Sequence, residues 1–204
     1  MYGTCSIKAF KISKTRNNLN DCSLRSFRKE LFLIVLDDLP FRKKVLQLNS
    51  SPIIIACDHG GYALKLKLLS ILTEKGIPYK DIGCHSEDIV RYPIYASAVA
   101  KQVSDGSFER GILICSTGIG MSIVANRYPN VRASVVSDHF TAVATREHND
   151  SNVLCLGGRI IGEFTMRDIL EAWLENNYIG GRHEISLNML KEIDKNKDTV
   201  LMEQ

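Results

Sequence analysis

The sequence has six cysteines, yet no two of them are spaced as a CxxC motif. Three cysteines lie in apolar, strand-like runs, where reduced cysteines of a protein core are often found: Cys57, Cys115 and Cys155. A disulfide framework is therefore not expected, and the composition fits a reducing, cytoplasmic compartment.

Long apolar segments are also missing. The longest uninterrupted apolar run covers residues 31–36, far short of the ~20 residues that a membrane-spanning helix needs. Residues 51–204 contain 16 Lys and Arg against 19 Asp and Glu, so this part has no basic surface of the kind that binds nucleic acid. With 45% apolar residues, the chain is expected to be a soluble globular protein with neither membrane nor nucleic acid as a partner.

Residues 1–50 differ from the rest of the chain. They carry ten Lys and Arg against four Asp and Glu, and the first twenty residues contain no acidic side chain. That composition faintly resembles an organelle transit peptide, but an unstructured extension or a start codon placed too far upstream explains it as well. We predict a poorly structured N-terminal extension over 1–50 and one folded domain over 51–204.

From residue 51 onward, strand and helix patterns alternate. Residues 52–57 form a continuous apolar run, as expected of a strand buried on both faces. Leucines at helical spacing follow, with Lys65 and Lys67 on the polar side, and Gly76 closes the helix. Further strands are predicted at 79–82, 111–115, 131–136 and 153–156, and helices at 92–103, directly after Gly120, and at 140–148, 163–177 and 187–194. This order predicts an α/β fold: a doubly wound, Rossmann-like, three-layer α/β/α domain with a five-stranded parallel sheet and an extra C-terminal helix.

The most informative stretch is the run that ends in Cys115 and passes through Gly118 and Gly120 into a helix. The first amides of a helix carry partial positive charge, so this turn can hold an anion beside a candidate nucleophile or base. A phosphatase loop would need arginine where Met121 stands. A dinucleotide fingerprint would need glycine where Ile123 stands, with Asp138 on the ribose, whereas Asp138 more simply caps the next helix. A thiol base beside an oxyanion-binding turn is the third interpretation, and a small core cysteine at the end of a strand is the alternative without a function.

Other polar residues also follow predicted strands or helices. Asp58 and His59 end the first strand, where they could reach a cleft or simply form a capped turn. His148 closes a helix and is either a general acid or base or a residue favoured by the helix dipole. Arg159 and Arg182 each follow a glycine pair and would suit phosphate if they face a cleft. No histidines have metal-ligand spacing with nearby carboxylates, so no metal is predicted.

Four motifs occur together in order: 57–61 (CDHGG), 111–120 (GILICSTGIG), 146–154 (REHNDSNVL) and 180–183 (GGRH). Together they resemble the type B ribose-5-phosphate isomerases, which belong to a wider sugar-phosphate isomerase family that includes galactose-6-phosphate isomerase subunits. The resemblance covers residues 52–194, which makes 51–204 a sugar-phosphate isomerase domain.

The resemblance implies interconversion of ribose 5-phosphate and ribulose 5-phosphate through a cis-enediolate, without a cofactor. It assigns proton transfer to Cys115 and ring opening to His148. Thr117 and the backbone of Ser116, Gly118, Ile119 and Gly120 would stabilise the enediolate oxygen. The resemblance implies that Asp58 and Asn149 bind sugar hydroxyls and that Tyr92 lies near the sugar. It assigns the phosphate to His59, Arg159 and Arg182.

Two positions distinguish this chain within the resemblance. Some members have a glutamate base where Met121 stands, so this sequence is similar to the cysteine-dependent branch. Many members have a second arginine where Ser186 stands, which leaves open a six-carbon substrate such as allose 6-phosphate or galactose 6-phosphate. The resemblance also implies a homodimer or homotetramer whose sites combine residues of two subunits. A sugar-phosphate- or nucleotide-binding module without catalysis is the alternative from another class.

Overall fold

The computed structural model describes residues 51–195, and these residues form the predicted α/β fold. The five strands are Ile53–Cys57 (β1), Tyr79–Asp81 (β2), Arg110–Cys115 (β3), Ala133–Val135 (β4) and Val153–Gly157 (β5). The six helices are Tyr62–Glu74 (α1), Tyr92–Ser104 (α2), Ile119–Ala125 (α3), His139–Glu147 (α4), Glu163–Glu175 (α5) and Arg182–Lys195 (α6). The expected structure of residues 1–50 lies outside the described residues.

All pairs of neighbouring strands are parallel, in the order β2-β1-β3-β5-β4. Every residue of β1 and β5 is buried, which confirms that their continuous apolar runs belong to the centre of the sheet. One face packs against α1 and α5 through side chains such as Leu68 and Trp173, and the other packs against α2 and α3 through Val99 and Met121. The sheet thus forms the middle layer of three.

Lys65 departs from its predicted place on the polar face of α1. Its side chain is only 1% exposed. The ammonium group donates to the Asp81 carboxylate and to the carbonyl of Cys84, both at 2.7 Å. A lysine is rarely buried unless it is paired, and these two acceptors make the burial possible. The helical spacing alone could not reveal them because they come from a different element.

The C-terminal helix also begins earlier than predicted. Gly180 and Gly181 both have positive φ angles, of 67° and 63°, and α6 starts directly after them at Arg182 rather than at Leu187. The apolar spacing misplaced the start because α6 has no buried residue in this chain. None of the helices between residues 51 and 195 is both long and apolar enough to cross a membrane.

Gly111 sets how closely α2 approaches β3. A Cβ at this position would lie 2.8 Å from Cγ1 of Val99 and 3.3 Å from Cγ2 of Val103. We predict that Gly111→Ala lowers the free energy of unfolding by roughly 1–3 kcal/mol, because the helix must move away from the sheet. Urea denaturation measures the change.

Gly162→Ala is the matched control, since a Cβ there meets no atom within 4 Å. Its stability should stay within about 0.5 kcal/mol of the wild type. An equal loss in both variants would contradict the packing explanation.

Candidate functional site

Cys115 lies at the carboxyl end of β3, where the chain leaves the sheet for the loop to α3. Its side chain is 5% exposed, and its Sγ accepts a hydrogen bond from the amide of Gly118 at 3.1 Å. The amide of Ile119 donates to Oγ1 of Thr117 at 3.3 Å, and the side chains of Thr117 and Ile119 are exposed. The loop therefore has exposed residues, one of them with a hydroxyl, close in sequence to the sulfur.

Gly118 makes this loop conformation possible. Its φ angle is +79°, in the left-handed region that glycine adopts without strain. A Cβ at this position would also lie 3.1 Å from the carbonyl carbon of Leu156 in the neighbouring strand. The glycine identified from the sequence is thus required both by the turn and by the close approach of β5.

Asp58 and His59 follow β1 and lie beside this loop. One carboxylate oxygen of Asp58 accepts the amides of Gly60 and Gly61, at 2.9 and 3.2 Å. The capped turn is therefore present, and no hydrogen bond to the other carboxylate oxygen is formed within the described residues. A Cβ on Gly60 would collide with Oγ of Ser116, which shows how tightly the two loops pack.

The imidazole of His59 is held by the backbone of Val90. Nδ1 lies 3.2 Å from the Val90 carbonyl and 3.3 Å from the Val90 amide. A neutral ring that accepts from the amide carries its proton on Nε2, and a charged ring that donates to the carbonyl also has Nε2–H. Two of the three protonation states therefore leave Nε2 as a donor for an anion.

Tyr92 and Arg159 complete the group at this end of the sheet. The ring of Tyr92, at the start of α2, lies 2.9 Å from where a Cβ of Gly120 would be. The amide of Arg159 donates to the carbonyl of Ser116 at 3.1 Å, so the loop after β5 lies against the loop after β3. We call this set the carboxyl-end group: Asp58, His59, Tyr92, Cys115, Ser116, Thr117, Gly118, Ile119, Gly120 and Arg159.

The other three predicted residues lie at the opposite end of the strands. His148 and Asn149 precede β5, and Arg182 begins α6. The carbonyl of Asn152, just before β5, accepts the amide of Gly111 at the start of β3. We call His148, Asn149 and Arg182 the amino-end group. About 13 Å of strand separates it from the carboxyl-end group, at roughly 3.3 Å per residue, so one chain does not bring the two groups together.

The amino-end group includes a contact that the sequence did not reveal. The rings of His148 and His183 stack with centroids 4.2 Å apart and planes 6° from parallel. The amide of Ile179 donates to the carbonyl of Glu147 at 3.1 Å, which holds the segment before α6 against the end of α4. Partial burial lowers the pKa of His183, and the neighbouring His148 and Arg182 lower it further. The GGRH motif contained this histidine, but its spacing gave no sign of the stack.

Two other buried thiols differ from Cys115 in their surroundings. Burial raises the pKa of Cys57, whose Sγ lies 3.5 Å from that of Cys84. Cys155 lies within β5, and burial raises its pKa as well. Both are fully enclosed core residues. Among these three, only Cys115 adjoins an exposed loop.

Comparisons with known proteins show the family to which the chain belongs. The model of the Ribose/Galactose Isomerase family matches residues 53–190. Ribose-5-phosphate isomerase B of Escherichia coli K12 is 40% identical over 146 residues, which cover 72% of this chain and 98% of that protein. The structure of Clostridium thermocellum ribose-5-phosphate isomerase B is 41% identical, with a TM-score of 0.70 over 72% of this chain and 99% of that one. That of the Thermotoga maritima ribose 5-phosphate isomerase is 40% identical, with a TM-score of 0.68 over 70% of this chain and 99% of that one.

Gly118→Ala tests the loop around Cys115. We predict a loss of stability of roughly 1–2 kcal/mol for the left-handed backbone, and a further loss because the methyl group meets the backbone of Leu156. Chemical denaturation measures the sum.

Gly76→Ala separates the two causes. Gly76 has a φ angle of +66° and open space around its Cβ position, so it reports the backbone cost alone. If the two variants lose the same stability, the close approach of β5 contributes nothing.

Proposed function

Because this chain belongs to the Ribose/Galactose Isomerase family and is a sugar-phosphate isomerase, we propose that it interconverts ribose 5-phosphate and ribulose 5-phosphate. One observation carries the proposal. Sγ of Cys115 accepts the amide of Gly118 at the edge of a loop in which Thr117 and Ile119 are exposed. This geometry supports Cys115 as the proton-transferring group and the neighbouring amides as donors for a developing oxyanion.

The reaction needs two proton transfers at carbon, one at the ring oxygen and one from O2 to O1. His148 transfers a proton at the ring oxygen, which opens the furanose to the aldehyde. Cys115 then removes the proton from C2 as the aldehyde oxygen gains charge, and this gives the cis-enediolate. Transfer of the O2 proton to O1 and return of a proton to C1 then give the ketose. No electrons leave the substrate, so no redox cofactor is required.

The enediolate oxygen is stabilised by Thr117 and by those amides of residues 116–120 that do not already donate within the loop. Donors placed where charge develops typically contribute roughly 3–4 kcal/mol each to lowering the barrier. Asp58 and Asn149 bind sugar hydroxyls, and the ring of Tyr92 borders the sugar over Gly120.

The phosphate is bound by His59, Arg159 and Arg182. Val90 orients His59 so that Nε2–H is available to an anion in two of its protonation states. Guanidinium groups suit phosphate because they donate two parallel hydrogen bonds. Many relatives have an arginine where Ser186 stands, and Ser186 carries no charge. Phosphate binding therefore depends on His59, Arg159 and Arg182.

We propose that the chain acts as a homo-oligomer whose sites are shared between copies. The carboxyl-end and amino-end groups lie at opposite ends of β3 and β5 in one chain. A two-fold axis can bring the amino-end group of one copy to the carboxyl-end group of another, which makes two equivalent sites per dimer. No residue of α6 is buried, so this helix is available for such a contact.

A six-carbon sugar phosphate is the second candidate substrate, because the matching family includes galactose isomerases as well as ribose isomerases. Comparison of kcat/KM for ribose 5-phosphate, allose 6-phosphate and galactose 6-phosphate decides between them. A higher value for either hexose would overturn the ribose proposal. Saturable binding of all three without turnover would favour a non-catalytic binding module.

Cys115→Ala should lower kcat for ribose 5-phosphate by roughly 10²- to 10⁴-fold, since the general base is lost. The fold should remain, because the substitution removes one sulfur at the end of a strand. A coupled isomerase assay and circular dichroism measure the two quantities.

Cys155→Ala is the matched control, a core thiol in the adjacent strand, paired with Leu113. It should keep kcat within about twofold of the wild type, as expected of a residue without contact to substrate. Near-native turnover by Cys115→Ala would contradict the assignment of the base.

Mixing two inactive variants tests whether sites are shared. Cys115→Ala and His148→Ala are each expected to be nearly inactive alone. In a dimer that contains one copy of each, one site has both substitutions and the other has neither. Random assortment then restores about a quarter of wild-type activity. No recovery after co-refolding, with mixed dimers present by native mass spectrometry, would show that each site is built within one chain.

A further inference from the structure

Asp150 lies within the turn of residues 148–151, which carries His148 and Asn149, and its carboxylate binds two guanidinium groups. Its Oδ2 accepts from Nη2 of Arg132 at 2.7 Å, and its Oδ1 accepts from Nη1 of Arg146 at 3.0 Å. Arg132 precedes β4, whereas Arg146 is in α4. One carboxylate therefore connects two separate elements at the amino end of the sheet.

The same two arginines also bind the backbone of the turn. Nε of Arg132 donates to the carbonyls of Asn149 and Asp150, at 3.1 and 2.8 Å. Nη1 of Arg146 donates to the carbonyl of Ser151. Three successive carbonyls are thus fixed by guanidinium groups, and the turn that carries His148 and Asn149 is held from both sides.

Charge makes Asp150 the necessary centre of this arrangement. Arg146 is only 6% exposed, and its burial lowers its pKa, while the Asp150 carboxylate opposes that shift. Without the carboxylate, two guanidinium groups would face each other at the turn, one of them buried. Asp150 also has a φ angle of +47°, a conformation that Asp and Asn tolerate better than most residues.

A single tryptophan reports on the turn. Nε1 of Trp173 donates to Oγ of Ser151 at 2.9 Å. The guanidinium of Arg146 lies 5.8 Å from the centre of the Trp173 ring, and that of Arg110 lies 5.4 Å from it. Because the chain has only one tryptophan, its fluorescence reports on this neighbourhood alone.

We infer that Asp150 is a positioning residue for the reaction: it fixes the turn so that His148 and Asn149 face the substrate bound by another copy. This inference rests on the proposed function. Asp150 touches no reacting atom and acts through His148. Its loss should therefore impair ring opening while it spares proton transfer at Cys115.

Two reactions of the same chain separate these steps. Conversion of ribose 5-phosphate requires ring opening. Ribulose 5-phosphate is acyclic, because its C5 oxygen carries the phosphate and no other hydroxyl can close a five-membered ring on C2. Uptake of deuterium from D₂O at C1 of ribulose 5-phosphate therefore requires the enediolate and Cys115, but no ring opening, and NMR measures it directly.

Asp150→Asn keeps the size and backbone preference of the side chain but removes its charge. We expect kcat for ribose 5-phosphate to fall by roughly 10²-fold, the effect of a displaced catalytic group. Deuterium uptake at C1 should stay within about threefold of the wild type. His148→Ala should likewise lose conversion of ribose 5-phosphate but keep deuterium uptake, whereas Cys115→Ala should lose both reactions. Trp173 emission of Asp150→Asn should shift to longer wavelength as the turn opens to water.

A second variant and a matched control complete the test. Arg132→Gln removes the more exposed of the two arginines that bind Asp150. It should lower ribose 5-phosphate conversion more than deuterium uptake, but by less than Asp150→Asn does. Asp168→Asn removes a surface carboxylate that is paired with His139 at 2.8 Å, and it should change neither reaction nor the fluorescence.

A proportional loss of both reactions in Asp150→Asn, or no loss in either, would overturn the positioning role. Wild-type fluorescence in that variant would contradict the claim that the Asp150 carboxylate holds the turn. If the wild-type chain neither converts ribose 5-phosphate nor exchanges ribulose 5-phosphate, the proposed function fails, and this inference fails with it.

Discussion

The parallel pairing of β3 with β5 is the constraint on which the rest of the site depends. Cys115 lies opposite Gly157, so both strands end at the same edge, and the loops that follow them pack together. The amide of Gly158 donates to the carbonyl of Cys115 at 2.7 Å, and that of Arg159 donates to Ser116. Because the pairing is parallel, the residues that precede β5, among them His148 and Asn149, lie at the opposite edge of the sheet. A chain with this sheet therefore separates its thiol from its His148 turn by the length of a strand.

The carboxyl-end group and the amino-end group are each held in place by a different kind of interaction. At the carboxyl end, close backbone approach excludes side chains, since a Cβ on Gly158 would lie 2.7 Å from the carbonyl oxygen of Gly60. At the amino end, charge holds the turn, because Asp150 binds both Arg132 and Arg146. A site assembled from two copies benefits from this rigidity. Each half then needs little ordering when the copies and the substrate meet, which favours catalytic geometry.

Local patterns in the sequence predicted the sheet well because they encode burial directly. The apolar run of β1, the strand that ends in Cys115 and the cap formed by Asp138 on Thr141 are all present. Two of the failures concern contacts between elements distant in sequence, whereas the start of α6 was misplaced because that helix has no buried residue. Lys65 is buried because Asp81 and Cys84 supply acceptors, and the stack of His148 on His183 depends on how the segment before α6 returns to α4. The residue assignments of the site stay predictions, because sequence patterns describe one chain and the proposed site combines two.

The most direct test of the shared site is the structure of the protein with ribose 5-phosphate bound. The account predicts that C1 and C2 of the sugar lie beside Cys115 of one copy, and that the ring oxygen lies within hydrogen-bond distance of His148 of another. The phosphate should contact Arg182 of that second copy, and His59 and Arg159 of the first. A substrate enclosed by side chains of one copy alone, with His148 remote from the sugar, would contradict it.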